Sequence, residues 1–71
     1  MNEKLADPDA LLTESQTAEI LNISVRTLQS WRVRRAGPKY IQLGRAVRYR
    51  RRDLIAWIDA NTMGAAMVSA S

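Results

Sequence analysis

Residues 13–31 read TESQTAEILNISVRTLQSW and begin with a strong signal for the start of a helix. Thr13 is a residue type that caps helix N-termini, and Gln16 three positions later completes a capping box, in which each side chain bonds the other residue's backbone N–H. This pattern predicts a first helix over 14–21. At 100° per residue, one side of that helix carries Thr17, Ala18 and Leu21.

A second helix follows after a gap of only two residues. Asn22 tolerates the left-handed conformation that ends a helix, and Ser24 is a suitable N-cap for the next one. We expect the second helix over about 25–35, with Gly37-Pro38 as its stop. Two short helices joined by so tight a corner are typical of a helix-turn-helix motif, although other helical hairpins share this spacing.

The second helix has an apolar side and a polar side. Its inner stripe comprises Val25, Leu28 and Trp31, and Arg32 and Arg35 point near that side, where we expect buried stems and hydrated heads. The opposite face carries side-chain types that can hydrogen-bond base edges in a DNA major groove. These are Arg26, Gln29, Ser30 and Arg34, with Thr27 at the edge and Val33 among them.

Residues 40–49 alternate between apolar and polar side chains and predict a β-hairpin. A two-residue loop, Gly44-Arg45, pairs Leu43 with Ala46, and a three-residue loop pairs Leu43 with Val47. We favour the three-residue loop, because it brings four apolar residues to one face, namely Ile41, Leu43, Val47 and Tyr49. The other face then carries Gln42, Arg48 and Arg50, with Arg45 at the tip.

A third helix is predicted over about 51–61, with Leu54, Trp57 and Ile58 on its inner side. Three arginines stand at its start, Arg50, Arg51 and Arg52. Cations at a helix N-terminus cost about 0.3–1 kcal/mol each at low salt. A phosphate bound there would reverse that sign, so these arginines are either phosphate contacts or tolerated surface charges.

Positive charge is concentrated in the middle of the chain. Residues 26–52 contain nine arginines, one lysine and no acidic residue, and they therefore carry +10. The segments before and after carry −4 and −2, which leaves the net charge of +4. A folded domain with such a block of like charges favours a polyanionic partner, and arginine grips phosphate or guanine with a planar fork.

A chain of 71 residues allows one small domain. It contains no Cys and no His, which rules out disulfides, Cys/His zinc sites and His-dependent hydrolysis. We therefore expect no enzyme activity, no catalytic residue, no metal and no cofactor. No apolar run is long enough for a membrane span, and the start does not resemble a secretory signal. We expect a flexible lead over 1–10, a domain over 11–61 and a flexible tail over 62–71.

Several segments together resemble the MerR-like winged helix-turn-helix domains, and within them the small excisionase and AlpA-type proteins of phages and integrative elements. The resemblance covers about residues 11–61. It is carried by residues 12–28, Gly37-Pro38, Leu43-Gly44-Arg45 and residues 47–58. Asn22 stands where glycine is usual, and Val33 faces outward. The implied fold is mainly α with a small β-hairpin, a winged helix-turn-helix.

The resemblance implies that the second helix enters the major groove of double-stranded DNA while the hairpin, as a wing, contacts the minor groove or backbone. The implied recognition-helix contacts are Arg26, Thr27, Gln29, Ser30 and Arg34. The implied wing contacts are Arg45 and Arg48, and the expected phosphate contacts are Lys39, Arg50, Arg51 and Arg52. We interpret Trp31, Trp57 and Tyr49 as core residues, not as base-stacking or nucleophilic groups.

Three functions fit these features. The first is an excisionase, a recombination directionality factor that bends DNA beside an attachment site and helps a tyrosine-family integrase excise a mobile element. Head-to-tail self-association along DNA is implied by that resemblance. The second is an AlpA-type transcriptional regulator, and the third is an antitoxin-like protein-interaction module. We expect a cytoplasmic, nucleoid-associated protein of bacterial or phage origin, with no small-molecule or membrane partner.

Overall fold

Helices and a small antiparallel sheet alternate along residues 6–64, the part of the chain that the computed structural model describes. The strands are β1 (Leu11–Thr13), β2 (Ile41–Leu43) and β3 (Ala46–Arg50). The helices are α1 (Glu14–Leu21), α2 (Val25–Val33) and α3 (Arg51–Ala60). With β3 in the centre of the sheet, the strand order is β1-β3-β2. This is the winged helix-turn-helix fold that the sequence predicts, with one strand more than expected.

The first helix and the turn after it form as predicted. Thr13 Oγ1 accepts from the Gln16 N–H at 3.0 Å, and Gln16 Oε1 accepts from the Thr13 N–H at 2.9 Å, which completes the capping box. Asn22 ends α1 in the left-handed region, at φ 57° and ψ 45°. Ser24 then caps α2 by accepting from the Thr27 N–H at 3.0 Å. The corner between the two helices is therefore fixed by local hydrogen bonds.

The second helix ends two residues earlier than predicted. Arg35 adopts a φ of +59°, and its N–H donates to the carbonyl of Arg32, while the Ala36 N–H donates to that of Trp31. These two bonds form a Schellman motif, which ends the helix before Gly37-Pro38 is reached. Arginine is an uncommon residue at such a position, so the sequence gives no signal for this stop.

The hairpin prediction was wrong in its register. Leu43 pairs with Ala46 across a two-residue loop, Gly44-Arg45. Gly44 has a φ of +61° and Arg45 does not have a positive φ, as in a type II′ turn, whose twist suits a hairpin. The assumption that four apolar residues share one face failed for a physical reason. Leu12 of the unpredicted β1 lies opposite Tyr49 and fills the buried face instead.

The register also changes which side chains share a face. Val47 and Tyr49 are buried, whereas Ile41 is half-buried and Leu43 is 51% exposed. Ile41 lies directly opposite Arg48, so Arg48 and Arg50 share the outer face with Ile41 and Leu43. Gln42 lies opposite Val47, not on the arginine face as predicted.

The core lies between the helix-turn-helix and the sheet. Its buried side chains come from every element except β2, and they are Leu12, Thr17, Ala18, Leu28, Val47, Tyr49 and Leu54. Trp31 of α2 and Trp57 of α3 pack together with their ring centroids 5.5 Å apart, which attaches α3 to the motif. Trp31, Trp57 and Tyr49 thus pack inside the domain, as predicted.

Residues 8–10 are attached to the start of α3. The Arg51 N–H donates to the Ala10 carbonyl at 2.9 Å, and the Arg52 N–H donates to the Pro8 carbonyl at 2.8 Å. Asp9 also forms an ion pair with Arg52. The predicted flexible lead and tail fall partly on residues 1–5 and 65–71, which lie outside the described residues. Within residues 6–64, no helix has the length and apolar character needed to cross a membrane.

Candidate nucleic-acid interface

The outward face of α2 is exposed along its whole length. Because Leu28 is fully buried on the opposite side, the 100° step per residue turns Arg26, Gln29, Ser30 and Arg34 toward solvent. Val33 on the same face is 77% exposed. Neither Arg26 nor Arg34 forms an ion pair with any residue in the described range. The helix therefore presents donors, acceptors and unneutralised charge to a partner.

Thr27, at the edge of this face, is turned toward the start of the helix. Its side chain is half-buried, and its hydroxyl lies 2.9 Å from Ser24 Oγ. Ser24 also caps the helix through the Thr27 N–H. Thr27 is thus part of the cap as well as a neighbour of the exposed face.

Glu14, the first residue of α1, is bonded to two side chains of α2. Its Oε2 accepts from Arg32 Nε at 3.1 Å and Nη2 at 2.9 Å, and its Oε1 accepts from Gln29 Nε2 at 3.3 Å. The hydrogen bond to Glu14 raises the pKa of Arg32, and the Arg32 guanidinium lies 5.8 Å from the centroid of the Tyr40 ring. Arg32 is thus held inward, as its position in the helix predicts.

Glu14 was not predicted as a site residue. Its two partners lie 15 and 18 positions along the chain, so only tertiary structure brings them together. The sequence offers one weak signal, an acidic residue in a stretch that folds against a basic block. An acidic residue in the first turn of a helix is also favoured by the helix dipole, which explains Glu14 equally well.

The wing lies beside the start of α1 and beside Arg32 of α2. An open depression of about 420 Å³ lies between the start of α1 and the wing. Glu14 and Arg32 line it on one side, and Arg45 and Arg48 line it on the other. Arg45 is exposed in the hairpin turn, and Arg48 is half-buried with its Nη1 donating to the Val47 carbonyl at 2.9 Å. The depression therefore brings the two wing arginines near the Glu14–Arg32 pair, and the predicted contacts of α2 do not line it.

The predicted phosphate contacts lie elsewhere. Arg50, Arg51 and Arg52 are at the far end of β3 from the turn, about 13 Å from Ala46 at 3.3 Å per strand residue. Arg50 lies 3.8 Å from Asp53, and Arg52 pairs with Asp9. The N–H groups of Arg51 and Arg52 already donate to carbonyls of residues 8–10. While residues 8–10 stay in place, these two N–H groups are therefore not available to a phosphate.

Lys39 stands apart from both groups. It is exposed in the connection between α2 and β2 and lines a shallow cavity with Gly37, Asp53 and Trp57. It therefore lies near α3.

Buried Tyr49 has no access to a partner. Its side chain is 1% exposed, and burial raises the pKa of its hydroxyl above the ordinary value. It packs with Tyr40 at a centroid distance of 6.2 Å. Residues 6–64 contain no group of three or more acidic side chains placed to hold a metal ion.

A comparison with protein families identifies the kind of domain. The family model described as a helix-turn-helix domain matches residues 11–62, which is most of the chain. A search of the curated proteins finds no significant match. The chain belongs to the helix-turn-helix domain family, of the excisionase and AlpA kind, whose partner is DNA bound in a sequence-specific manner.

Proposed function

We propose that the protein is an excisionase of the MerR-like branch, a recombination directionality factor that binds and bends DNA near an attachment site and promotes excision by an integrase. The observation that carries this proposal is the exposed outward face of α2, on which Arg26 and Arg34 have no ion-pair partner in residues 6–64, together with Arg45 and Arg48 on the wing. A chain without Cys or His offers two DNA-contacting elements and no familiar catalytic set.

In the proposed complex, α2 lies in the major groove. The groove is about 12 Å wide and admits one helix, whose outward side chains reach the base edges. Arg26, Gln29, Ser30 and Arg34 read bases or grip neighbouring phosphates, with Thr27 at the margin. Arg45 and Arg48 contact the backbone or minor groove beside it. Contacts from one side that neutralise phosphates asymmetrically favour a bend toward the protein.

A second set of backbone contacts completes the proposal. Lys39 and the side chains of Arg50, Arg51 and Arg52 bind phosphates outside the central contact. Arg52 exchanges Asp9 for a phosphate in this scheme, because exposed ion pairs contribute only about 0–1 kcal/mol. A second copy bound head-to-tail on an adjacent site, and a tyrosine-family integrase, are the proposed protein partners.

Two arginines test the division of roles on a duplex obtained by selection from a random library. Arg26→Ala should weaken the preference for that duplex over random DNA, by about 1–3 kcal/mol of discrimination. Arg45→Ala should weaken binding to both duplexes equally and reduce the salt slope by about 1. Each variant is the control for the other, because both arginines are exposed and neither has an ion-pair partner in residues 6–64. Equal behaviour of the two would contradict the assignment.

Excision in vitro separates the proposal from its alternatives. Purified protein added to an integrase and a substrate carrying both attachment sites should raise the yield of excised product. An unchanged yield together with altered promoter output would identify an AlpA-type regulator. A protein-interaction module predicts weak DNA binding that ignores salt, whereas 6–10 phosphate contacts lose about 10³–10⁵ in affinity between 50 and 200 mM salt.

A further inference from the structure

We propose that Glu14 is a positioning residue that makes Gln29 read adenine in preference to guanine. The inference rests on the proposed entry of α2 into the major groove. It assigns a role in sequence recognition to a residue of α1 that lies outside the recognition helix.

The carboxylate of Glu14 is held firmly before any DNA is bound. Arg32 donates to Oε2 from two nitrogens, and the two side chains are only 24% and 20% exposed. The Tyr40 ring lies against the guanidinium of Arg32. Glu14 therefore does not depend on Gln29 for its position, and its second oxygen, Oε1, is a fixed acceptor for the Gln29 amide.

The acceptor decides how the amide of Gln29 is oriented. An ionised carboxylate has no proton to donate, so the amide nitrogen and not the amide oxygen must face it. One of the two N–H groups is then engaged by Glu14. The groups left for a base are one N–H donor and one carbonyl acceptor.

That remaining pair matches adenine and mismatches guanine. Adenine presents the N7 acceptor beside the N6 amino donor in the major groove, and a glutamine amide can bond both. Guanine presents two acceptors, N7 and O6, so the amide oxygen of Gln29 would meet an acceptor. By engaging one donor and fixing the orientation, Glu14 selects the adenine edge.

The negative charge of Glu14 adds a second effect. It lines the depression between α1 and the wing, close to where a phosphate backbone must pass in the proposed complex. Its charge therefore opposes binding to any duplex while its hydrogen bond favours the correct one. Removing the charge should raise or preserve affinity for random DNA and lower discrimination, whereas a purely structural role would weaken both.

The test measures binding of the whole chain to the selected duplex, to its single-base variants and to a random duplex, by fluorescence anisotropy. Gln29→Ala first identifies the base pair that Gln29 reads, where the wild type should prefer adenine. Glu14→Gln should reduce the preference for adenine over guanine there by about fivefold or more, the smallest discrimination expected of a good bidentate pair. Its affinity for the random duplex should stay the same or rise.

Three further variants separate the role of Glu14 from charge and stability. Glu19→Gln removes the same charge from an exposed position of α1 and should leave the adenine preference unchanged. Glu14→Asp keeps the charge and shortens the side chain, so it should reduce the preference without raising random binding. In the Gln29→Ala background, Glu14→Gln should change discrimination no further, as a coupled pair requires.

The outcomes are distinguishable. A wild type that discriminates among duplexes, but shows no adenine preference at the position of Gln29, overturns the inference. So does a Glu14→Gln variant, folded by circular dichroism, that keeps the full preference. A wild type that binds all duplexes equally overturns the proposed readout by α2 instead.

Discussion

Of the three glycines, Gly37 is the one whose replacement the structure tolerates least. Its φ is +79°, and an added Cβ would lie 2.9 Å from Cε3 and 3.2 Å from Cβ of Trp31. Trp31 cannot yield easily, because its ring packs on Trp57. Gly37→Ala should therefore combine backbone strain with overpacking and lower the free energy of unfolding by about 2–4 kcal/mol.

Gly44→Ala is the matched control for that loss. Its φ of +61° imposes similar backbone strain, but nothing lies within 4 Å of the added Cβ. Urea unfolding followed by tryptophan fluorescence should show a loss of about 1 kcal/mol for Gly44→Ala. Equal losses in the two variants would mean that the contact with Trp31 contributes nothing.

Arg35 has a positive φ, as Gly37 does, but its backbone is strained there because it carries a Cβ. It occupies the left-handed position of the Schellman motif that ends α2, at a φ of +59°, and its side chain is exposed. A residue with a Cβ loses about 1–2 kcal/mol of stability in this left-handed conformation. Glycine removes that strain, and its greater conformational freedom in the unfolded state cancels part of the gain. Arg35→Gly should raise the free energy of unfolding by about 0.5–1 kcal/mol. Arg34→Gly, at a φ of −87°, should not stabilise, and a gain there would point to charge instead.

At the level of elements, local signals and long-range packing differ in what the sequence reveals. The capping box at Thr13 and the turn at Asn22 involve residues within four positions, so composition and spacing suffice to predict them. The hairpin register depended on β1, which pairs with β3 from more than 30 positions away. A strand of three residues, Leu11–Thr13, is too short to show an alternating pattern, so the sequence did not predict it.

The contribution of β1 can be measured at Leu12. This side chain is 2% exposed and lies opposite Tyr49, whereas its neighbour Leu11 is 41% exposed on the outer face. Leu12→Ala leaves a cavity and should lower the free energy of unfolding by about 2–4 kcal/mol. Leu11→Ala should stay within about 0.5 kcal/mol of the wild type. A small effect of Leu12→Ala in urea unfolding would mean that β1 is not part of the cooperative core.

For the whole molecule, periodicity predicted the outward face of α2 and the charge count predicted a basic surface. Neither could show that Glu14 reaches Gln29 and Arg32, because helix periodicity relates residues on one helix and not on two. Nor could they show that residues 8–10 cover the start of α3, since backbone carbonyls leave no mark in a sequence. The candidate interface is therefore smaller than the basic block, and Arg50–Arg52 lie apart from its centre.

The concentration of positive charge in residues 26–52 also leads to a prediction about the stability of the protein without DNA. Two like charges 10 Å apart repel by about 0.4 kcal/mol in water, and three ion pairs in residues 6–64 offset few of the ten cations. The Debye length is about 30 Å at 10 mM salt and about 8 Å at 150 mM, so it falls from above the radius of gyration of 13.6 Å to below it. Sodium chloride should therefore raise the urea midpoint of the free protein over the range in which it weakens DNA binding. A midpoint that falls with salt would mean that the attraction between Glu14 and Arg32 outweighs the repulsion among the cations. Glu14→Gln should then abolish that fall.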